Sequence, residues 1–212
     1  REELEVLAGK TPRLGPRATD EGRFTGQIAP LNGLDRDEGI RPDANVERMS
    51  TLPPLREGYE ITAAVSSQVS VGAAALLVVS EDALRTHGLT PIAKVTTLSV
   101  VGEDPVLMLT GPIPATRDVL RRAKLSIDDI DLFECNEAFA PVVLAWAHET
   151  GAPLERTNVN GGAIAMGHPL GATGAILATK LIHELVRTGG TRGLQTMCEG
   201  GGQSNATIIE RV

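Results

Sequence analysis

The spacing of apolar residues divides the chain into a polar first part and a second part with regular elements. Residues 1–58 are polar, carry alternating charges and are interrupted by six prolines, so we expect a surface excursion with little core of its own. A short apolar run at 73–80 then predicts a buried strand, although periodicity alone does not separate it from a buried helix. The core is therefore expected to come mainly from residues beyond 60.

Beyond residue 80 the apolar repeat alternates between strand-like and helical spacing. Helices are predicted at 81–87, 115–124, 137–150 and 172–186, and strands at 92–101, 128–134, 194–197 and 206–210. The last two strands flank a Cys-Glu-Gly-Gly-Gly segment that is typical of a hairpin turn. From residue 92 onward this order predicts a layered α/β fold with a mixed sheet.

A glycine-rich stretch at 158–174 leads directly into the last long helix and contains His168. Glycines let a ligand approach the backbone closely, and the free amides of a helix start attract negative charge, so a histidine here is well placed to act as a base. The alternative is a turn histidine that only caps a neighbour. No Lys-Ser or Lys-Thr pair follows the glycines, which argues against a phosphate loop.

Two further polar residues stand at element boundaries, Asn136 before the helix at 137–150 and Cys198 at the hairpin turn. Ends of elements in an α/β sheet converge on one crevice, where ligands usually bind. There a thiol can serve as a second acid or base, an asparagine can orient a water or an oxyanion, and Gly200 can offer its backbone N–H. The alternatives are an N-cap for Asn136 and a small buried filler for Cys198.

Composition restricts the possible classes of function. The formal net charge of −7 argues against general binding to nucleic acid or anionic membranes, and no apolar run reaches membrane-spanning length. The two cysteines and four histidines have no metal-ligand spacing, so we expect no metal and a reducing compartment. A cytoplasmic protein is expected. Because the sequence opens on Arg1, we interpret it as a fragment, which leaves organellar targeting open.

Three blocks carry a resemblance to a known family: Cys-Asn-Glu-Ala-Phe-Ala at 135–140, the glycine-rich stretch at 158–174, and Cys-Glu-Gly-Gly-Gly-Gln at 198–203. In this order they resemble the active-site blocks in the C-terminal half of thiolases. The resemblance implies a thiolase-like layered α/β/α fold with a mixed five-stranded sheet and an incomplete N-terminal half. It also implies a loop-domain remainder at 1–69, the tail of the N-terminal domain at 70–91 and a C-terminal domain at 92–212.

The same resemblance implies an acyltransferase that cleaves a 3-oxoacyl-CoA with CoA, or runs the reverse condensation. His168 would activate a nucleophilic cysteine, and Cys198 would protonate the departing enolate. Asn136 would hold a water that binds the enolate oxygen together with His168, and the Gly200 amide would donate to the thioester oxyanion.

Coenzyme A is expected as a substrate, and no cofactor is expected. The segment 62–67 resembles the family's CoA-binding block, so Ala63 and Ser67 are candidates to contact the pantetheine. Phe139 is a further candidate, and Arg41 is a weaker one for the nucleotide end, where a solvated surface arginine is an equal alternative. The sequence departs from the family at 64–65 and at 70–71.

The family's nucleophilic cysteine has no counterpart, because both cysteines belong to other blocks. The leading hypothesis is therefore a thiolase whose N-terminal half is missing, disordered or supplied by another polypeptide, with a homodimer or homotetramer as the expected assembly. The alternative is a non-catalytic thiolase-like subunit that binds acyl-CoA or a partner thiolase. A carrier-dependent condensing enzyme of the same superfamily is a third possibility, which the Gly-His-Pro and Cys-x-Gly-Gly-Gly blocks disfavour.

Overall fold

The structure is a computed structural model and describes residues 2–43 and 45–212. Its helices are α1 (Glu2–Asp20), α2 (Val46–Ser50), α3 (Glu81–His87), α4 (Pro112–Ala123), α5 (Ala140–Thr150), α6 (Ala163–Met166) and α7 (Thr173–Thr188). Its strands are β1 (Ala93–Gly102), β2 (Leu132–Cys135), β3 (Arg192–Cys198) and β4 (Gln203–Arg211). The order of elements from β1 onward matches the sequence prediction.

The four strands form one mixed sheet in the order β1-β4-β3-β2. Strands β2 and β3 are parallel, whereas β4 runs antiparallel to both β3 and β1. The carboxyl ends of β1, β2 and β3 therefore lie at one edge of the sheet, together with the start of β4. In the parallel pair, Cys135 lies opposite Thr196, which fixes which residues meet at that edge.

Alternating side chains of the strands divide the core into two parts, one on each face of the sheet. Phe133 on β2 and Ile208 on β4 pack on one face with helices α4 and α5, where Trp146 is fully buried. Their neighbours Leu132 and Ile209 point the other way, into a smaller cluster with α7. This arrangement gives the α/β/α layers expected from the sequence.

Local sequence explains the two long helices of the second half. Helix α7 places Leu177, Leu181 and Leu185 on one buried stripe at helical spacing. Helix α5 begins at Ala140 and ends at Thr150, where it is capped by Gly151, whose φ of 77° suits glycine. It therefore starts three residues later than predicted.

The sequence predicted a surface excursion with little core of its own at 1–58 and assigned no helix there, but the first third is helical. Helix α1 spans 19 residues despite two interior prolines, and it buries Thr11 and Ala18 against the rest of the fold. Propensity argued against a helix here, but tertiary packing against α5 and α6 overrides it. The loop at 31–38 that follows is exposed, as predicted.

Two predictions about strands are also corrected. Residues 73–80 form no strand and are exposed, since no neighbouring strand pairs with them in the described part of the chain. The sheet has four strands, not five. Beside β2 lies only a single parallel bridge between Phe133 and Thr157, because the chain turns away into the glycine-rich stretch directly afterwards.

Candidate active site

The edge formed by the ends of β2 and β3 holds two of the predicted residues. Asn136 follows β2 directly, and its backbone N–H donates to Thr196 O at 3.0 Å. Cys198 is the last residue of β3, two positions beyond Thr196. Asn136 is buried and is not the N-cap of α5, whose cap is Phe139. The N-cap alternative for Asn136 is therefore wrong.

Asn158 fastens the start of the glycine-rich stretch to β2. Its side chain accepts from Cys135 N at 3.0 Å and donates to Cys135 O at 2.8 Å, so it completes both hydrogen bonds that a neighbouring strand would make. Asn158 adopts a φ of 49°, a left-handed conformation that asparagine tolerates better than most residues. The chain thus leaves the sheet edge at a defined point.

Glu137 joins helix α1 to two points of that stretch. Its buried carboxylate accepts from Thr11 Oγ1 at 3.0 Å, Asn158 Nδ2 at 2.9 Å and Ile164 N at 3.1 Å. A Cβ at Gly162 would lie 2.1 Å from Glu137 Cδ, so only glycine fits there. Burial raises the pKa of Glu137, and the hydrogen bonds from Asn158 and Ile164 oppose that rise.

A buried ion pair supports the same stretch from below. Lys180 on α7 donates to Glu134 Oε2 at 3.0 Å and also to Gly161 O. Both charged side chains are 3–4% exposed. Burial raises the pKa of Glu134 to about 7, against the attraction of Lys180. Buried charges of this kind persist only when they are paired and hydrogen-bonded.

Gln68 holds the histidine's own backbone. Its backbone carbonyl accepts from His168 N at 3.0 Å. Its side-chain nitrogen lies 3.0 Å from Gly39 O, 3.1 Å from Ile164 O and 3.0 Å from Ala165 O. One glutamine therefore ties three stretches of chain together immediately beside His168.

The structure brings Asn136 and His168 together. Asn136 Nδ2 lies 3.3 Å from His168 Nε2, and His168 Nδ1 lies 2.7 Å from Thr173 Oγ1. Burial lowers the pKa of His168, which favours the neutral imidazole that a base requires. Asn136 Oδ1 is buried and has no hydrogen-bond partner among residues 2–43 and 45–212, so it presents an unused acceptor beside the imidazole.

Cys198 lies at the same sheet edge as this pair. Its thiol is half-buried, and burial raises its pKa, with a further rise from the charge of Glu199. The protonated thiol is therefore the dominant form at neutral pH. Within the described residues, Cys198 Sγ forms no hydrogen bond with Asn136 or His168. Cys135 is fully buried.

The glycines at 200–202 form a short turn that packs against the end of β1. Gly202 has a φ of 79°, and its carbonyl accepts from Glu103 N at 2.8 Å. A Cβ at Gly202 would meet Glu103 O at 2.6 Å, whereas one at Gly200 would meet no atom within 4 Å. Gly200 is exposed, so its surroundings leave room for a ligand to approach its backbone.

The four residues predicted to bind CoA differ in their exposure and in their contacts. Ser67 N donates to Ala138 O at 3.0 Å, and Ser66 forms an antiparallel bridge with Phe139, so Ser67 and Phe139 lie on adjacent strands of chain. Both are half-buried. Ala63 is exposed in a short 3-10 turn, Ala63–Val65. Arg41 is exposed.

Sequence patterns missed the residues that support the site. Glu137, Asn158 and Gln68 act through partners that lie far away along the chain, so local spacing does not identify them. One signal was present: Glu137 lies two residues beyond a strand end and has no basic residue nearby in sequence to pair with. Over residues 2–43 and 45–212, no group of three or more His, Cys, Asp or Glu side chains could hold a metal ion.

Comparison with known proteins identifies the family that this fold and site define. The family model for the thiolase C-terminal domain matches residues 89–211, and the model for the thiolase N-terminal domain matches residues 1–82. The chain therefore belongs to the thiolase family, as the three blocks predicted.

Individual relatives agree with this assignment. The chain is 52% identical to the steroid 3-ketoacyl-CoA thiolase FadA6 of Mycobacterium tuberculosis, over 100% of its own length and 53% of that protein. It superposes on Bacillus anthracis acetyl-CoA acetyltransferase with a TM-score of 0.94 at 37% identity, covering 100% of this chain and 56% of that one. It superposes on human mitochondrial 3-ketoacyl-CoA thiolase in complex with CoA with a TM-score of 0.92 at 38% identity, covering 100% of this chain and 55% of that one. The chain spans about half the length of the curated relatives it matches.

No helix among the described residues is long and apolar enough to cross a membrane.

Proposed function

We propose that the chain provides the acid-base half of a thiolase active site, which cleaves a 3-oxoacyl-CoA with CoA or runs the reverse condensation. The observation that carries the proposal is the contact between Asn136 Nδ2 and His168 Nε2 at 3.3 Å, beside Asn136 Oδ1, an acceptor without a partner in the described part of the chain. A buried acceptor without a partner favours a bound water or ligand that donates to it. The substrate class rests on family membership and on the names of the relatives.

In cleavage, His168 takes the proton from a cysteine thiol supplied by another polypeptide segment. That thiolate attacks the C3 ketone of the substrate, the C2–C3 bond breaks, and its electron pair moves into the enolate of acetyl-CoA. Cys198 gives its proton to the enolate carbon. The Cys198 thiolate then takes the proton of the CoA thiol, and the CoA thiolate attacks the acyl-cysteine thioester. The departing cysteine thiolate recovers its proton from His168. The lowered pKa of His168 and the raised pKa of Cys198 suit a base and an acid in these roles.

Negative charge develops on two oxygens during these steps, and each needs hydrogen-bond donors. A water held by Asn136, together with His168, serves the enolate oxygen. The backbone N–H of Gly200 serves the thioester oxyanion, and its exposed position supports this role. Ser67, Phe139 and Ala63 contact the pantetheine, and Arg41 the nucleotide end. CoA enters as a substrate in this scheme and no cofactor is used.

A second candidate function is supported by the cysteine count. The sequence contains two cysteines, and both lie in blocks other than that of the nucleophile. A chain that keeps the acid-base residues without a nucleophile can act as a non-catalytic subunit that binds acyl-CoA or a partner thiolase. The two functions differ in whether turnover appears once a nucleophile is supplied.

Both candidates include a protein partner. An extended segment, residues 69–78, carries apolar side chains that are largely exposed, among them Val69, Val71 and Leu77. Exposed apolar runs of this kind mark surfaces that pair with protein. The partner is the remaining thiolase half or a second subunit, and a homodimer or homotetramer is the assembly we propose.

Thiolysis of a 3-oxoacyl-CoA tests the main proposal. The chain is assayed alone and then mixed with a polypeptide that carries the N-terminal half of a thiolase relative. The mixture should release acetyl-CoA, and the His168→Ala variant should reduce the rate by a factor of about 100 or more. Arg85→Ala, on an exposed helix far along the chain from the three blocks, should leave the rate unchanged.

The remaining outcomes separate the candidates. CoA binding without turnover in the mixture supports the non-catalytic subunit and contradicts the enzyme. Iodoacetamide labelling with peptide mapping gives a second criterion, because a nucleophilic cysteine in the mixture should react faster than Cys135 and Cys198. Absence of both CoA binding and turnover contradicts both candidates.

A further inference from the structure

We propose that Thr173 is a positioning residue whose hydroxyl holds His168 in the Nδ1–H tautomer, which leaves Nε2 with the lone pair that a base needs. The tautomer is a property of this chain. Only the use made of the Nε2 lone pair rests on the proposed function.

The Thr173 hydroxyl has one hydrogen and can therefore donate to one acceptor only. Thr173 Oγ1 lies 3.0 Å from Pro169 O, a carbonyl that can only accept, so the single hydroxyl hydrogen is directed there. The oxygen is then an acceptor for its other neighbour, His168 Nδ1, at 2.7 Å. A hydroxyl without a second hydrogen requires Nδ1 to carry the proton.

The Asn136 amide constrains the opposite side of the His168 ring. Asn136 Nδ2 lies 3.3 Å from His168 Nε2, and an amide nitrogen can only donate. Nε2 must therefore be the acceptor, which again places the proton on Nδ1. The reverse tautomer would require the Asn136 amide to turn over and the Thr173 hydroxyl to leave Pro169 O.

The Thr173 hydroxyl is buried, so its hydrogen bond to His168 is shielded from water. Thr173 is 3% exposed at the first turn of α7, so a water has little access to take over its hydrogen bond to Nδ1. Thr173 N also donates to Pro169 O at 3.0 Å, which keeps the turn closed even without the hydroxyl. Removing the hydroxyl should therefore change the tautomer more than the fold.

The test is a histidine-selective 15N experiment on the full chain, in which long-range 1H–15N correlations identify the protonated ring nitrogen. Above its pKa, wild-type His168 should show a protonated Nδ1 and an unprotonated Nε2. In Thr173→Val, Nδ1–H loses its acceptor, and the Asn136 amide can turn its oxygen toward Nε2 to accept from it. The Nε2–H tautomer should therefore become substantially populated, and the pKa of His168 should fall by about 0.5–1 unit as the imidazolium loses an acceptor. Thr173→Ser retains the hydroxyl and should behave as wild type.

His148 provides an internal reference, because its side chain is 86% exposed and its signals should be identical in every variant. If valine prevents folding, Thr173→Ala removes the hydroxyl without adding a methyl group in its place. A wild-type spectrum with Nε2–H overturns the proposal, as does a valine or alanine variant that keeps the wild-type tautomer. Because neither CoA nor turnover is involved, failure of the thiolysis assay would leave this result unaffected.

Discussion

Gly162 and Glu137 occupy adjoining space beneath the stretch that carries His168, and no side chain fits between them. A Cβ at Gly162 would lie 2.1 Å from Glu137 Cδ, well inside any real contact distance. Gly162 has a φ of −111°, so the constraint is purely steric and involves no backbone strain.

Gly162→Ala should therefore destabilise the protein by about 1–3 kcal/mol, because the buried carboxylate must move away from its donors. Gly171→Ala is the matched control in the same stretch, since a Cβ there would meet no atom within 4 Å, and it should stay within about 0.5 kcal/mol of wild type. Urea unfolding measures both. Equal stabilities of the two variants would contradict a steric conflict between position 162 and the Glu137 carboxylate.

Sequence predicted the residues with polar chemistry at element ends, His168, Asn136 and Cys198, because glycines and strand ends mark such positions. The Asn136–His168 contact confirms that two of them meet. The supporting residues required the fold. Glu137 appears in the sequence as one of many acidic residues, and only tertiary structure brings Thr11 and Ile164 to it.

Among the elements, helix α1 shows how packing overrides propensity. Pro12 and Pro16 lie inside the helix, and each lacks the N–H of an i→i−4 hydrogen bond. The helix is maintained by its contacts, including the bond from Thr11 to Glu137. Sequence predicted the helices and strands from β1 onward, where the apolar repeat is regular, and failed here because the stabilising surface belongs to α5 and α6.

Thr11→Val keeps the shape of the side chain and removes the donor to Glu137, so we expect a loss of about 1–2 kcal/mol in unfolding free energy. Thr19→Val is the matched control on the same helix, because Thr19 Oγ1 donates only to the local carbonyl of Gly15, and its effect should stay within about 0.5 kcal/mol. Chemical denaturation compares the two. A larger loss for Thr19→Val would show that the Glu137 contact does not anchor α1.

At the scale of the whole molecule, stability should depend on pH through Glu134. Its pKa is about 7 in the folded protein against 4.5 ordinarily, because burial outweighs the attraction of Lys180 and the nearby charges of Glu137 and Glu184 add to the rise. The folded state thus binds more protons than the unfolded state between these values. The stabilisation is complete below pH 4.5 and is lost as pH rises through 7.

We therefore expect wild type to lose on the order of 1–3 kcal/mol between pH 5 and 7.5, and Glu134→Gln to lose much less. Glu21→Gln is the control, because hydrogen bonds from Arg17 and Arg23 lower the pKa of Glu21 to about 2. The stabilisation from Glu21 changes with pH only in the acid range, where it is lost as pH decreases. Urea titrations at several pH values measure these slopes. An unchanged slope in Glu134→Gln would contradict the assignment.

The exposed apolar segment at 69–78 should make the isolated chain self-associate. Lysines at two of its exposed positions, Val71→Lys with Leu77→Lys, should shift size-exclusion light scattering toward the monomer while unfolding free energy stays within about 0.5 kcal/mol. The double variant Thr86→Lys with Thr90→Lys adds the same charge at exposed polar positions outside the segment. If this control variant shifts the light scattering toward the monomer equally, then net charge and not the segment controls association.

Glu137 also has a consequence for the order of folding. The bond between Thr11 and Glu137 joins residues 126 positions apart, and contacts of such separation are slow to form because the intervening chain must first be ordered. Strands β2, β3 and β4 pair over shorter separations and can form earlier, whereas β1 pairs with β4 over a separation close to that of Thr11 and Glu137. We therefore expect the histidine's surroundings to reach their final geometry only when the amino-terminal helix docks, as a late event on the pathway.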